Sequence, residues 1–322
     1  MADVCGEPTP YGFQSWLSRA EWDADAVRDD LRTSSRQHLG APNGVLVLDE
    51  TGFLKKGHHS AGVARQYRGT VGNVDHGPIG VLLSAASRLG YALLDRDLSL
   101  PQAWTDDRER CRQGGIPEDR RVATKPQLAQ PMLARAVAAG VPATWGTGDR
   151  VYGDHRPVRR WLEAQPQADV LAVSGKAYGW LGVQQRQVNT LLASWPVEGW
   201  TRLSAGDGAQ GPRWDDWRGV ALADPVAPPW RRWLLVRRSL SEPTDLTASV
   251  VLAPPPPTLE EVVRVAGSRW TVESRVEAAK GEVGLDQDEV RSWTAWYRHI
   301  TLAMWALARL TVMRAGTMAV EA

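Results

Sequence analysis

The chain predicts a mixed α/β fold, a sheet of strands flanked by helices. Short apolar runs such as Val45-Leu46-Val47-Leu48 have the length and β-branched content of buried strands. Between residues 128 and 174, helix and strand patterns alternate, which builds a mixed sheet with helices packed on it. From Thr258 onward helical patterns dominate to the C terminus.

Taken in order, Trp22–Leu31 reads as a short exposed helix with acids near its start. Gly44–Asp49 is a buried strand, and Ser60–Gln66 and Ile79–Ala86 follow as strands. Ile79–Ala86 pairs with Tyr91–Arg96 as a hairpin turning at Gly90. Leu128–Ala139 is an alanine-rich helix stopped at Gly140, with Pro142 just beyond. A strand then leads to Asp149, a helix runs through Val158–Leu162, and Asp169–Ser174 is a further strand.

Residues 175–250 break the alternation. Short apolar runs such as Arg232-Trp233-Leu234-Leu235-Val236 are separated by Gly-, Pro- and Asp-rich clusters, the pattern of a β-rich insertion. Pro254–Pro257 is a connector that no helix can cross, and Thr258 with Glu261 has capping-box spacing. These shifts divide the chain into an N-terminal helical piece (1–40), a first α/β part (41–174), the β-rich insertion (175–257) and C-terminal helices (258–322).

Composition narrows function only by exclusion. Hydrophobic residues at 43% and charged residues at 23% are ordinary for a globular protein, and 322 residues suffice for a large core. A net charge of +1 gives no global attraction to nucleic acid, so any basic surface is local. Only five of the 38 Lys and Arg residues are lysines, a bias that suits bidentate phosphate contacts and equally an arginine-rich genome. Cys5 and Cys111 lack metal spacing and point to a reducing compartment. Met1-Ala2-Asp3-Val4 has no secretory pattern, and Ile300–Met313 is too short to span a bilayer and contains Arg309. A cytoplasmic protein without a membrane partner is expected.

Three acids carry the chemistry. Asp49 ends the run Val45–Leu48, Asp149 ends Ala143–Gly148, and Glu273 lies in Ser268–Glu273 at the opening of a helix. Adjacent strands are roughly 4.8 Å apart, so acids at the same end of two neighbours can share ions. Two Mg²⁺ held this way clamp the attacking and leaving oxygens of an in-line phosphoryl transfer. Zinc is disfavoured: the six histidines include the pair His58-His59 but no HxH or HxxxH spacing. Each aspartate taken alone fits a turn or helix-cap acid equally well.

On the later helix, Val272, Val276, Ala279 and Val283 form the buried stripe. Arg269, Glu273, Glu277 and Lys280 share an adjoining face, where the two cations could hold phosphates beside the acid. The same spacing also fits an exposed face of i,i+4 ion pairs. Arg108/Arg110/Arg112, Arg120/Arg121, Arg159/Arg160, Arg231/Arg232 and Arg237/Arg238 are basic clusters, and Trp161, Trp230 and Trp233 beside them could stack on bases. Sixteen tryptophans also admit a carbohydrate-active enzyme with paired carboxylates.

Longer stretches carry a resemblance. They are Val47–Gly57, Trp104–Asp107, Thr147–Gly153, Leu203–Gly208, Arg232–Leu240, Ala278–Asp286 and Trp296–Met304. Together they are similar to DDE-type transposases of bacterial insertion sequences, the insertion sequence 701 group of the DDE endonuclease superfamily, from about residue 20 to about 312. The resemblance implies a ribonuclease-H-like core interrupted by the β-rich insertion before the last catalytic helix. It implies Asp49, Asp149 and Glu273 as catalytic and metal-binding residues for two Mg²⁺, with Mn²⁺ as a substitute. Arg269 and Lys280 match the family's tyrosine–arginine–glutamate–lysine motif as phosphate contacts, while Ala266 stands at the tyrosine position. Glu277 competes as third acid but has the wrong motif spacing. The implied partners are double-stranded DNA, as transposon ends and target, and a second copy of the chain on that DNA, in the bacterial cytoplasm at the nucleoid. The implied reaction is phosphodiester hydrolysis and strand transfer; the alternative is a shortened, inactive DNA-binding remnant.

Overall fold

A computed structural model describes residues 6, 9, 11–68, 73–181, 184–193, 198–208, 211–223, 226–254 and 257–321. The N-terminal Met1–Val4 stretch, Cys5, and Pro255 and Pro256 of the proline connector lie outside the described residues.

Helices α1 (Tyr11–Ser18) and α2 (Ala24–Leu39) precede β1 (Gly44–Gly52). Val45, Leu46, Val47 and Leu48 are at most 2% exposed, so β1 is buried on both faces, as an unbroken apolar run requires. A small hairpin follows, β2 (Ala64–Arg68) with β3 (Asn73–Gly77), and then the long hairpin of β4 (Ile79–Ser87) and β5 (Gly90–Ser99). The strand expected at Ser60–Gln66 begins only at Ala64, because residues 61 and 62 form a turn. The long hairpin turns at Arg88-Leu89, and Gly90 opens β5 at φ 137°.

Short helices α3 (Gln102–Thr105) and α4 (Arg108–Gln113) lead to α5 (Lys125–Ala138), which ends before Gly140 at φ 65°. Next come β6 (Ala143–Gly148), α6 (Arg150–Gly153), α7 (Arg156–Glu163) and β7 (Ala168–Val173). The five strands run in the order β5-β4-β1-β6-β7, with β5, β4 and β1 antiparallel and β1, β6 and β7 parallel. This is a ribonuclease-H-like mixed sheet.

The β-rich segment extends that sheet. After the small hairpin β8 (Tyr178–Leu181) and β9 (Gln184–Gln187) and helix α8 (Val188–Ala193), four strands follow: β10 (Thr201–Gly208), β11 (Gly211–Leu222), β12 (Arg231–Arg238) and β13 (Leu246–Ala253). They pair antiparallel in series, and β13 pairs with β7, giving one nine-stranded sheet from β10 to β5. Val173, Leu234, Val236 and Val250 cluster across that junction, so apolar packing joins the segment to the core.

Helices α9 (Leu259–Val283) and α10 (Trp293–Glu321) complete the chain. Thr258 caps α9 by accepting from the Glu261 N–H at 3.1 Å. Glu261 does not close the expected reciprocal box; its carboxylate accepts instead from Trp145 Nε1 at 3.1 Å and ties the helix to β6. Val272, Val276 and Ala279 are buried, as the spacing requires. At Gly267 α9 touches β10 so closely that a Cβ would lie 1.7 Å from the Ala205 carbonyl oxygen.

The short exposed helix expected at Trp22–Leu31 is a correction. Helix α2 has 16 residues, is capped by Asp23 and buries Arg28, Leu31, Arg32, Ser35 and Leu39. Its arginines reach the fully buried Asp95 of β5, Arg28 at 3.7 Å and Arg32 at 3.4 Å, and Arg135 of α5 joins them at 2.8 Å. Trp161, Trp230 and Trp233 are partly buried and pack against the main core.

Two outcomes are expected. Gly267→Ala forces α9 off β10 and lowers stability in urea unfolding by roughly 1–3 kcal/mol, the usual cost of overpacking. Asp169 of β7 is 4% exposed, and burial, with the Glu163 charge second, pushes its carboxyl up to about 8. The folded chain therefore holds a proton there that the unfolded chain releases near pH 4, so this group makes stability fall as pH rises from about 4 to 8. Asp169→Asn should flatten that part of the pH–stability curve, read from unfolding midpoints, and leave the variant relatively more stable at pH 8 than at pH 5.

Candidate active site

Parallel pairing of β1 with β6 sets Leu48 opposite Gly148, and one residue further on each strand stand Asp49 and Asp149. Asp149 begins α6 as its N-cap, its Oδ1 accepting from the Val151 N–H at 2.9 Å. It is thus a helix-capping acid and also an acid of the strand end. Asp49 Oδ1 accepts from the Glu50 N–H at 2.9 Å. Neither aspartate has an ion-pair partner among the described residues.

Asp49, Asp149 and Glu273 all line one cleft of about 810 Å³ bounded by β1, β6, β7, β12, β13, α8 and α9. Arg269, Trp270 and Ala266 line it from α9, and Lys125, Arg150 and Arg237 bring further positive charge. Trp270 packs against Trp217 with ring centroids 6.4 Å apart, and the guanidinium carbons of Arg237 and Arg269 lie 5.2 and 5.5 Å from its ring centroid.

Burial pushes the Asp49 carboxyl up to about 8, with the Glu273 charge as the next cause. Burial also raises Asp149, reinforced by the Glu50 charge, and raises Glu273 against the opposing pull of Arg269. The acids feel one another, and positive charge introduced among them would favour their ionised forms. Arg269 supplies part of it by donating through Nη1 to Glu273 Oε1. Glu273 is therefore occupied, and among the described residues no three His, Cys, Asp or Glu side chains converge as a ready ligand set. The donors nevertheless suit a hard divalent cation: carboxylate oxygens, mostly buried, with both aspartates lacking a cationic partner.

Lys280 takes a different place. It pairs with Glu277 at 3.0 Å and is not among the side chains lining the cleft. Seven residues beyond Glu273, it sits about 10 Å further along the helix axis. Of the exposed i,i+4 ion pairs of the alternative reading, Arg269–Glu273 forms at that spacing but partly buried, while Lys280 pairs with Glu277 at i,i+3. Glu277, with 73% of its side chain exposed, stays outside the cleft.

Glu50 and Lys125 were not singled out in the sequence. Glu50 lines the cleft, Lys125 Nζ lies 2.5 Å from its Oε1, and the Tyr152 hydroxyl donates to its Oε2 at 3.1 Å. Glu50 follows Asp49 directly, where alternation along a strand assigns it to the other face; Lys125 opens a helix 75 positions away and gives no sequence signal.

Comparison with known proteins follows the same lines. A family model described as DDE superfamily endonuclease matches residues 2–190. A probable transposase for insertion sequence element IS701 from Microchaete diplosiphon is 26% identical over 155 residues, which are 48% of this chain and 38% of that protein. The cryo-EM structure of a piggyBac transposase synaptic complex with hairpin DNA is similar at a TM-score of 0.46 and 9% identity, over 85% of this chain and 52% of that one. With more than half its length matched by the family model, the chain belongs to the DDE superfamily of endonucleases.

Proposed function

We propose that the chain is the catalytic core of a DNA transposase of the insertion-sequence type. The observation that carries this reading is the meeting of Asp49, Asp149 and Glu273, from a strand, a strand end and a distant helix, in one cleft also lined by arginines. Asp49 and Asp149 would hold two divalent ions, Mg²⁺ or Mn²⁺, and Glu273 would join them on leaving Arg269. Such ions, when bound, stabilise charge on the attacking and leaving oxygens of phosphoryl transfer.

The chain's own groups do the rest. Arg269, freed from Glu273, and Arg150 and Arg237 on the cleft wall would hold backbone phosphates, with Lys280 further along α9 as an outer contact. Lys125, paired with Glu50, would hold that side chain in place beside the two aspartates. The buried walls limit water around the reacting phosphate and strengthen every charge interaction there. Hydrolysis at an element end would free a 3′-OH, and attack by that hydroxyl on a target phosphodiester would form the new P–O bond as the bond to the target's own 3′ oxygen breaks, leaving a 3′-OH on the target. Double-stranded DNA is the substrate, and a second copy of the chain on the paired ends is part of the proposal.

Asp149→Asn should lower Mg²⁺-dependent nicking of a labelled duplex by at least about 10³-fold, because the side chain acts on the reacting charge. Its folded population, read by circular dichroism, should be retained, since asparagine also caps a helix. Cleavage unchanged in that variant would end the reading. EDTA should abolish nicking by the parent chain without unfolding it, and binding to DNA with no nicking in either ion would favour the DNA-binding alternative.

A further inference from the structure

Helix α6 links the active cleft to a second cavity. Asp149 stands at its start and Asp154 at its end, where Asp154 Oδ1 accepts from the Ser174 N–H at 3.0 Å. Val173 and Gly175 line the cleft, whereas Ser174 and Lys176 line the second cavity, so the two openings are contiguous along the chain leaving β7. The second cavity has a volume of about 520 Å³. Its walls include Arg156, Arg159, Arg160 and Glu163 from α7, Asp169 from β7 and Arg232 from β12.

Its charge is unbalanced. Glu163 is engaged by Arg232 at 2.5 Å, and Asp154 is engaged by a backbone N–H. Asp169 keeps its proton at neutral pH and adds no negative charge. The side chains of Arg156, Arg159, Arg160 and Lys176 make no hydrogen bond or ion pair with any described residue, although Arg159 feels the charges of Glu163 and Asp154 nearby. Arg159 is also half-buried among them, so burial holds its guanidinium below the ordinary range. Five cations (Arg156, Arg159, Arg160, Lys176 and Arg232) thus face two carboxylates, Asp154 and Glu163, and a phosphate-rich ligand relieves the remaining repulsion. The protonated Asp169 could donate a hydrogen bond to a phosphate oxygen at the floor.

We propose that this cavity is a second phosphate-binding site, in which Arg156, Arg159, Arg160 and Lys176 grip the backbone of the DNA that passes through the catalytic cleft. The proposal rests on the reading of that cleft as a DNA-cleaving site. The contact reads no base sequence; it orients the duplex, as phosphate contacts generally do.

The test is duplex binding by fluorescence anisotropy in EDTA over a series of salt concentrations, so that no cleavage intervenes. The triple variant Arg159→Ala, Arg160→Ala, Lys176→Ala is compared with Arg88→Ala, Arg291→Ala, Arg309→Ala, which removes the same charge from exposed positions elsewhere. The cavity variant should bind at least about tenfold more weakly near 0.1 M salt, with the slope of log K against log [salt] reduced by about 2 to 3, and lysine at 159 and 160 should restore most of both. Circular dichroism and the single variants Arg160→Ala and Lys176→Ala guard against a folding defect. Equal affinities and slopes for the two triple variants would overturn the proposal. So would calorimetric binding of inorganic phosphate or a mononucleotide at the cavity with duplex affinity unaltered, or a loss confined to RNA. If the cavity variant loses DNA binding while the parent chain never nicks in Mg²⁺, the cavity stands and the cleft reading fails.

Discussion

The parallel pairing of β1 with β6 is the constraint on which the site depends. Matching Leu48 with Gly148 brings two acids to the same end of neighbouring strands, although they are far apart in sequence. A slip of one residue would turn Asp49 to the other face and send the apolar run Val45–Leu48 out of register with its packing partners. Burial of that run therefore locks the acids' positions through the same contacts that stabilise the sheet. Helix α9 then needs only to lie across β1 and β6 to bring Glu273 in, and the contact at Gly267 with Ala205 and the Glu261–Trp145 bond hold it there.

Electrostatics explain why the arrangement does not close on itself. Acids placed in a mostly buried cleft resist ionisation, and Asp49 feels burial and its neighbours most strongly. One arginine is recruited to Glu273, while the aspartates accept from backbone N–H groups, Asp49 from Glu50 and Asp149 from Val151 and Tyr152. The cleft thus combines two aspartates that lack an ion-pair partner among the described residues with Arg150 on its lining and Arg237, which pairs with Asp245 at 3.2 Å. The second cavity shows the opposite imbalance, with arginines and a lysine gathered around a carboxyl that remains neutral.

Much of this was legible in the sequence where periodicity and burial act together. The apolar runs ending at Asp49 and Asp149 are strands because no short helix would be buried all round, and the stripe Val272, Val276, Ala279 fixes which side of α9 faces inward. The differences arise where a charged side chain turns inward to meet a buried partner. Arg28 and Arg32 are buried with Asp25 and Asp29 of their own helix as nearest acids and with Asp95, on a strand far away in sequence, as the enclosed partner that only the tertiary structure supplies. The Glu50–Lys125 pair likewise has no local signature, since it joins β1 to a helix 75 positions away. The segment from Thr201 to Ala253 reads as strands, but its continuity with the core follows from the pairing of β13 with β7, which no local pattern announces.

The arginines of α2 change what counts as the smallest autonomous unit. Asp95 is fully enclosed and satisfied by guanidinium groups from α2 and α5, while Arg96 reaches back to Asp25 at 2.8 Å. A fragment begun at the first strand would leave an enclosed carboxylate short of counter-charge and strip the cover from β5. The leading helices belong to the same cooperative block as the sheet.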